Sequence, residues 1–360
     1  MSELMVRRFM EMVQIDSESG DEARFMDHLL REIAEVGGHA ALDDYGNLIA
    51  RFDAVGCEGV EPILLSCHGD TVKPGVGIEP MLEDGVIRSK GDTILGADDK
   101  AGIVEVLEAL RTAPVRPPIE FAVSRQEEVG LLGVKAMDFS RLTARRGFLM
   151  DNDTLDTIII GGPTYFAIDV AVSGRSAHAG MEPEKGINAI QAAAKAIAAL
   201  PLGRIDGETT ANVGVISGGV IRNGVPDACT FLAECRSADH DKAVALSEQM
   251  ASTLRREIED AGATVEIEMD EMCRAVQIRK DAWSVRVAKE ALSNVGIDAD
   301  AVFMTGFTDA SIYNNRGIEM AVIGIGAQNE HSTDECIAVA DMEKAVELLV
   351  EIFRLVANRG

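Results

Sequence analysis

The chain has 360 residues, 47% hydrophobic and 26% charged, an ordinary globular composition with room for about two domains and no low-complexity or repeated tract. Its net charge of −26 repels phosphate backbones and anionic headgroups, which argues against nucleic acid and membrane surfaces as partners. Six scattered cysteines without paired short spacing argue against a disulfide framework or a thiolate zinc site and fit a reducing cytoplasm.

Positions 3–15 and 21–36 have helical periodicity. The first mixes Glu3, Arg7, Arg8 and Glu11 with apolar residues, unlike the long apolar core of a signal peptide. No stretch approaches the ~20 apolar residues of a membrane span. A strand is expected at 47–52. Strands at 63–66, 119–123 and 147–150 then alternate with a helix at 101–110, which predicts a mixed, mostly parallel sheet flanked by helices. After Gly161-Gly162-Pro163 come a strand at 166–172, an alanine-rich helix at 185–200, strands at 211–216, 229–235 and 264–268, and a long helix at 242–261. These make a smaller α+β domain, 165–274, inserted into the larger α/β one. A helix at 281–295, strands at 301–303 and 320–323 and a helix at 342–357 complete the larger domain, which comprises 1–164 and 275–360. His28 and His39 are expected on helical or loop surface, and His240 at a helix start.

Ligands of open α/β sheets collect beyond the carboxyl ends of the strands, and the chemically interesting residues fall there. Ser66-Cys67-His68-Gly69-Asp70-Thr71-Val72 ends a strand, so His68 is either a hydrogen-bonded structural residue or a metal ligand whose other ring nitrogen is held by Asp70, two residues on and on the same side. Gly96-Ala97-Asp98-Asp99-Lys100-Ala101-Gly102 brings two carboxylates to a helix start. A cap explains one of them, and a carboxylate bridging two divalent ions is the alternative. Gln126-Glu127-Glu128-Val129-Gly130 is a solvated turn, or a pair in which one glutamate binds metal while the other takes a proton from water. Met150-Asp151-Asn152-Asp153 and Asn329-Glu330-His331-Ser332-Thr333-Asp334-Glu335 repeat the pattern of acidic or histidine residues after an apolar run.

Together these motifs, in this order along the chain, resemble the zinc metallopeptidases and deacylases that include peptidase T, carboxypeptidase G and aminoacylase. The resemblance implies that Asp98 bridges two zinc ions, that His68 and Asp151 complete one site, and that Glu128 and His331 complete the other. It also implies Glu127 as general base, Asp70 as the residue orienting His68, and a cis peptide at Asp98-Asp99. The inserted domain resembles the family's lid and dimerisation domain, implying a homodimer. There His178, in Ser173-Gly174-Arg175-Ser176-Ala177-His178-Ala179-Gly180, looks like the donor to the oxyanion, and Asn223 and Arg236 look like substrate-holding residues. The bland alternatives are a turn before Pro226 for Asn223 and a surface strand position for Arg236. Cobalt and manganese accept the same donors as zinc. Aspartate at position 151, with the Leu95-Gly96-Ala97-Asp98-Asp99-Lys100 and Glu330-His331-Ser332-Thr333 motifs, is similar to the peptidase T branch, which implies a cytoplasmic aminopeptidase for short peptides such as tripeptides. An N-acyl amino acid deacylase with the same metals, or a non-catalytic metal- or peptide-binding relative, are the alternatives.

Overall fold

A computed structural model describes residues 2–359. The chain divides into two compact units, one running to Gly161 and resuming at Gln277, the other Gly162–Val276.

The larger unit is built on an eight-stranded sheet in the order His39–Leu42, Leu48–Phe52, Ile119–Ser124, Ile63–His68, Arg146–Met150, Glu319–Ile323, Thr157–Ile159, Asp300–Val302. Its first two pairings are antiparallel, and the strands from Ile119–Ser124 to Glu319–Ile323 run parallel. All six residues of Ile63–His68 and of Ile119–Ser124 are buried, as expected of parallel strands covered on both faces. The register pairs His68 with Ser124 and Met150 with Ile323. These strands therefore stop together, and Asp70, Glu127, Glu128 and Asp151, which come just after their ends, leave from one edge.

Helix Ala97–Thr112 is buried from Ala97 through Leu110, which is why its sequence shows no polar stripe. Helix Ala23–Glu35 is amphipathic and buries Phe25, Met26, Leu29 and Ile33. His39 begins the edge strand instead of lying on helix or loop, and the hairpin Pro80–Glu83 with Val86–Ser89 has too short a pattern to stand out in the sequence.

The smaller unit is a five-stranded antiparallel sheet in the order Gly203–Arg204, Thr209–Gly218, Ala228–Ser237, Thr164–Ser173, Thr264–Cys273. Alternate residues of Ala228–Ser237 are buried, and Ile168, Val170, Val172 and Phe231 form a core with Met250 and Leu254 of helix His240–Asp260 and with the alanines of helix Ala189–Ala198. The helix expected at 185–200 is thus shorter. Gly186 is extended, and Asn188 caps the true start by accepting the Gln191 amide at 2.9 Å. Among the described residues no helix is long and apolar enough to cross a membrane.

Gly147 shows how closely the central strands approach. A Cβ there would lie 1.9 Å from the carbonyl oxygen of Leu64 on the neighbouring strand, a contact with backbone that no rotamer relieves. Gly147→Ala should therefore cost about 1–3 kcal/mol in denaturant unfolding, whereas Gly207→Ala, where nothing lies within 4 Å, should be close to neutral.

Candidate metal centre

Two imidazoles face one aspartate. His68 ends its strand with Nε2 2.9 Å from Oδ1 of Asp98 and 3.8 Å from Oδ1 of Asp151. His331 presents Nε2 at 3.2 Å from the other oxygen of Asp98 and at 3.0 Å from Oε1 of Glu128. His68, Asp98 and Glu128 each offer a donor atom within 4.8 Å of the others, and so do His68, Asp99 and Asp151. The five residues expected as ligands are thus brought together, with Asp98 between two nitrogen-and-carboxylate groups.

Asp99 enters the second group by proximity, but it does other work. Its Oδ2 accepts the backbone N–H of His68 at 3.0 Å, and its Oδ1 is buried without a partner beside Gly102, where a Cβ would lie 2.3 Å away. The Asp98-Asp99 peptide is cis, and both residues depart from helical angles, so the regular helix starts at Lys100.

The loops carrying these side chains are held by carboxylates accepting backbone N–H groups. Asp70 accepts the amides of Glu127 at 2.8 Å and Glu128 at 3.2 Å, and the Ser19 hydroxyl at 2.7 Å. Its carboxylate stands 3.5 Å from Nδ1 of His68, while its own carbonyl oxygen is at 3.0 Å. The ring is therefore held more closely by the backbone of Asp70 than by its side chain, and Nε2 faces Asp98. Glu22 is fully buried; it accepts the Gln126 amide at 3.2 Å and pairs with Arg125 at 2.8 and 2.6 Å. Gln126 has a φ of +52°, and this turn sends Glu127 into the buried side of the site.

The electrostatics are those of carboxylates crowded out of water. Burial, followed by repulsion from Asp309, Glu128 and Asp98 against attraction to His68, pushes the Glu127 carboxyl well above the usual range. Burial also lifts Asp151 and Glu128, and takes Glu330 up to about 8. Against its burial, hydrogen bonds from His331 and His68 hold the Asp98 carboxyl well below the ordinary range. Hydrogen bonds to Asp98 and Glu128 push His331 up to about 11. Imidazole nitrogens set among carboxylates that repel one another suit a divalent cation of the zinc, cobalt or manganese kind.

Three further residues lie beyond the reach of sequence reasoning. Glu22 and Arg125 meet across 103 positions. Buried Asp309, raised to about 7 by desolvation, accepts the Ser124 hydroxyl and adds negative charge near Glu127. Counting unpaired amides around the acidic loops could have called for an acceptor such as Glu22, but not for Arg125 or Asp309.

In the smaller unit His178 and Asn223 are neighbours: His178 pairs with Gly224 across a short ladder, and the Asn223 carbonyl accepts the Ala179 amide at 3.1 Å. His178 is exposed, and its Nδ1 accepts the amides of Gly180 and Met181, both at 3.2 Å. Arg236 lies on another strand, paired with Glu234 at 2.6 Å and 4.4 Å from the centre of the Tyr165 ring.

A family model described as a peptidase dimerisation domain, M20_dimer, matches residues 164–261. The uncharacterized protein YqjE of Bacillus subtilis is 36% identical over 98% of both chains. Among solved structures, aminopeptidase PepT from Bacillus cereus is 37% identical with a TM-score of 0.88, and a tripeptidase from Staphylococcus aureus is 31% identical with a TM-score of 0.93, each covering 99% of both chains. On this identity and coverage, the chain belongs to the M20 metallopeptidases, in their peptidase T-like branch.

Proposed function

We propose that this chain is an aminopeptidase for short peptides, using two zinc ions held by His68 and Asp151 on one side of Asp98 and by Glu128 and His331 on the other. The observation that carries the reading is the division of Asp98, one oxygen toward each histidine at 2.9 and 3.2 Å. The peptidase and tripeptidase relatives support the substrate class.

Bound there, the ions would supply Lewis acidity for a scissile carbonyl and an attacking water. Glu127 takes the proton from that water and returns it to the leaving nitrogen. Its backbone amide is fixed by Asp70 at 2.8 Å and its carboxylate is buried, which holds the base in one place. His178 accepts two amides at Nδ1, so its ring proton is on Nε2, a donor of the kind an oxyanion needs. Asn223 beside it and Arg236 are the candidate substrate-holding residues, with Arg236 exchanging Glu234 for a substrate carboxylate.

The match to a dimerisation domain supports a homodimer through the smaller unit. Gly203–Arg204 pairs only with Ala211 and Thr210 of strand Thr209–Gly218, and Val215 and Ile216 further along that strand are exposed. Free cysteines, five of the six buried, suit a cytoplasmic location.

Two experiments test the chemistry. Glu127→Ala should keep two metal ions per chain by elemental analysis while losing about 10²–10⁴-fold in kcat on tripeptides. Substantial turnover would remove Glu127 as the base, and wild-type activity confined to N-acetyl amino acids would replace the peptidase with a deacylase. Calorimetric zinc titration of the metal-free chain near pH 7, in two buffers of different ionisation heat, should show release of about one proton or more. A His331 raised to about 11 carries its proton there and must lose it to bind metal. The apparent affinity should accordingly rise with pH, and identical heats in the two buffers would show that binding removes no net proton, against a His331 that arrives protonated.

A further inference from the structure

We infer that Glu335 is the positioning residue for Asp98, a carboxylate that locks the loop carrying the bridging aspartate to the segment carrying His331; the inference rests on the two-metal reading. Four consecutive amides converge on this side chain. Leu95 and Gly96 donate to Oε2 at 2.8 and 2.7 Å, and Ala97 and Asp98 donate to Oε1 at 2.7 and 3.0 Å. Glu335 is 2% exposed, so water does not compete for these bonds.

A left-handed residue ahead of a helix start turns further N–H groups toward the anion that the first helical amides already face. Gly96 supplies this with φ +70° and ψ 32°, a conformation that costs glycine little. The result is a concave nest of amides at a helix start, the geometry by which proteins hold phosphates. Here the anion comes from the chain itself, 237 residues beyond Asp98.

The position of Glu335 makes this more than burial of a charge. It lies four residues after His331 in a segment tied to itself: the Glu335 amide reaches the Ser332 carbonyl at 3.2 Å, and the Ser332 hydroxyl donates to the Asn329 carbonyl at 2.7 Å. Beyond it Cys336–Ala338 is anchored to strand Val86–Ser89. One side chain thus fixes the separation of Asp98 and His331, two donors of the same metal group. The polar contacts of the His331 ring are with Asp98 and Glu128, the groups it would share a metal with, so the latch supplies a support outside the metal group.

Glutamine at 335 would turn an NH2 group toward two of the four amides, whereas aspartate keeps the charge on a shorter arm. Glu335→Gln, folded by circular dichroism and of wild-type size, should bind the weaker of two zinc equivalents about 10–100-fold less tightly in competition with a chromophoric chelator. Glu335→Asp should recover part of that loss. A folded Glu335→Gln that keeps wild-type affinity for both equivalents overturns the inference, whereas a wild-type chain binding fewer than two ions overturns the two-metal reading instead. Hydrogen exchange on the metal-free wild type tests the latch independently and covers the case in which Glu335→Gln does not fold. The amides of residues 95–98 should be protected, and exchange at the rate of exposed loops would overturn the inference.

Discussion

Like charge in a place with little water is the constraint around which the larger unit is arranged. Asp70, Asp98, Asp99 and Glu127 are all buried, and Glu128 and Asp151 are nearly so, with side chains 7% and 13% exposed. Two carboxylates 4 Å apart at an effective dielectric near 20 repel by about 4 kcal/mol, a large part of a domain's net stability. The chain counters this in two ways. Outward-facing carboxylates (Asp70, Glu335, Glu22) are neutralised by backbone amides, serine or arginine, each such bond contributing roughly 1.5–3 kcal/mol. Inward-facing ones share the two imidazoles His68 and His331, and the crowded negative charge left over suits divalent metal.

The parallel sheet makes such crowding geometrically possible. The pairings of His68 with Ser124 and of Met150 with Ile323 bring the strand ends to one edge, so short loops suffice to converge on one point. The support is then mutual: Asp70 from one loop holds Glu127 and Glu128 of the next, and Asp99 from the helix start holds the amide of His68. Lys100 turns away from the metal group. Its ammonium, lowered to about 7 by burial, donates to the Ile15 carbonyl at 2.8 Å and lies 4.8 Å from the Phe25 ring centre. It secures the first helices against the start of the buried one.

Much of this is legible in the sequence because chemistry and local pattern coincide. An apolar run ending in His-Gly-Asp, or a strand followed by Glu-Glu, states both where a strand stops and what it delivers. Asp98, Glu128 and His331 are placed by resemblance, and the geometry gives each a partner. The supporting residues are not legible, since the Glu335 contacts span up to 240 positions and the Glu22 to Arg125 contact 103, and no window of sequence contains both ends. The helix expected at 185–200 fails for a local reason: alanine content masks the break that Gly186 and Asn188 impose. Arg236 illustrates a third limit, because a strand pattern cannot say that its partners are Glu234 and Tyr165.

The two halves of the metal group are supported unequally. His68 is 2% exposed and held from both ends, its amide by Asp99 and its Nδ1 by the Asp70 carbonyl, so its position is fixed before any ion arrives. His331 is 57% exposed, adopts a φ of +59° and reaches the centre from a loop. Preorganisation lowers the ordering cost of binding, so on the proposed two-metal reading the His68 side would hold its ion more tightly than the His331 side. The exposed position also leaves that side open to solvent, while Glu127 stays buried. On the proposed reading, this division would give the site a rigid half that sets the chemistry and an accessible half that receives substrate.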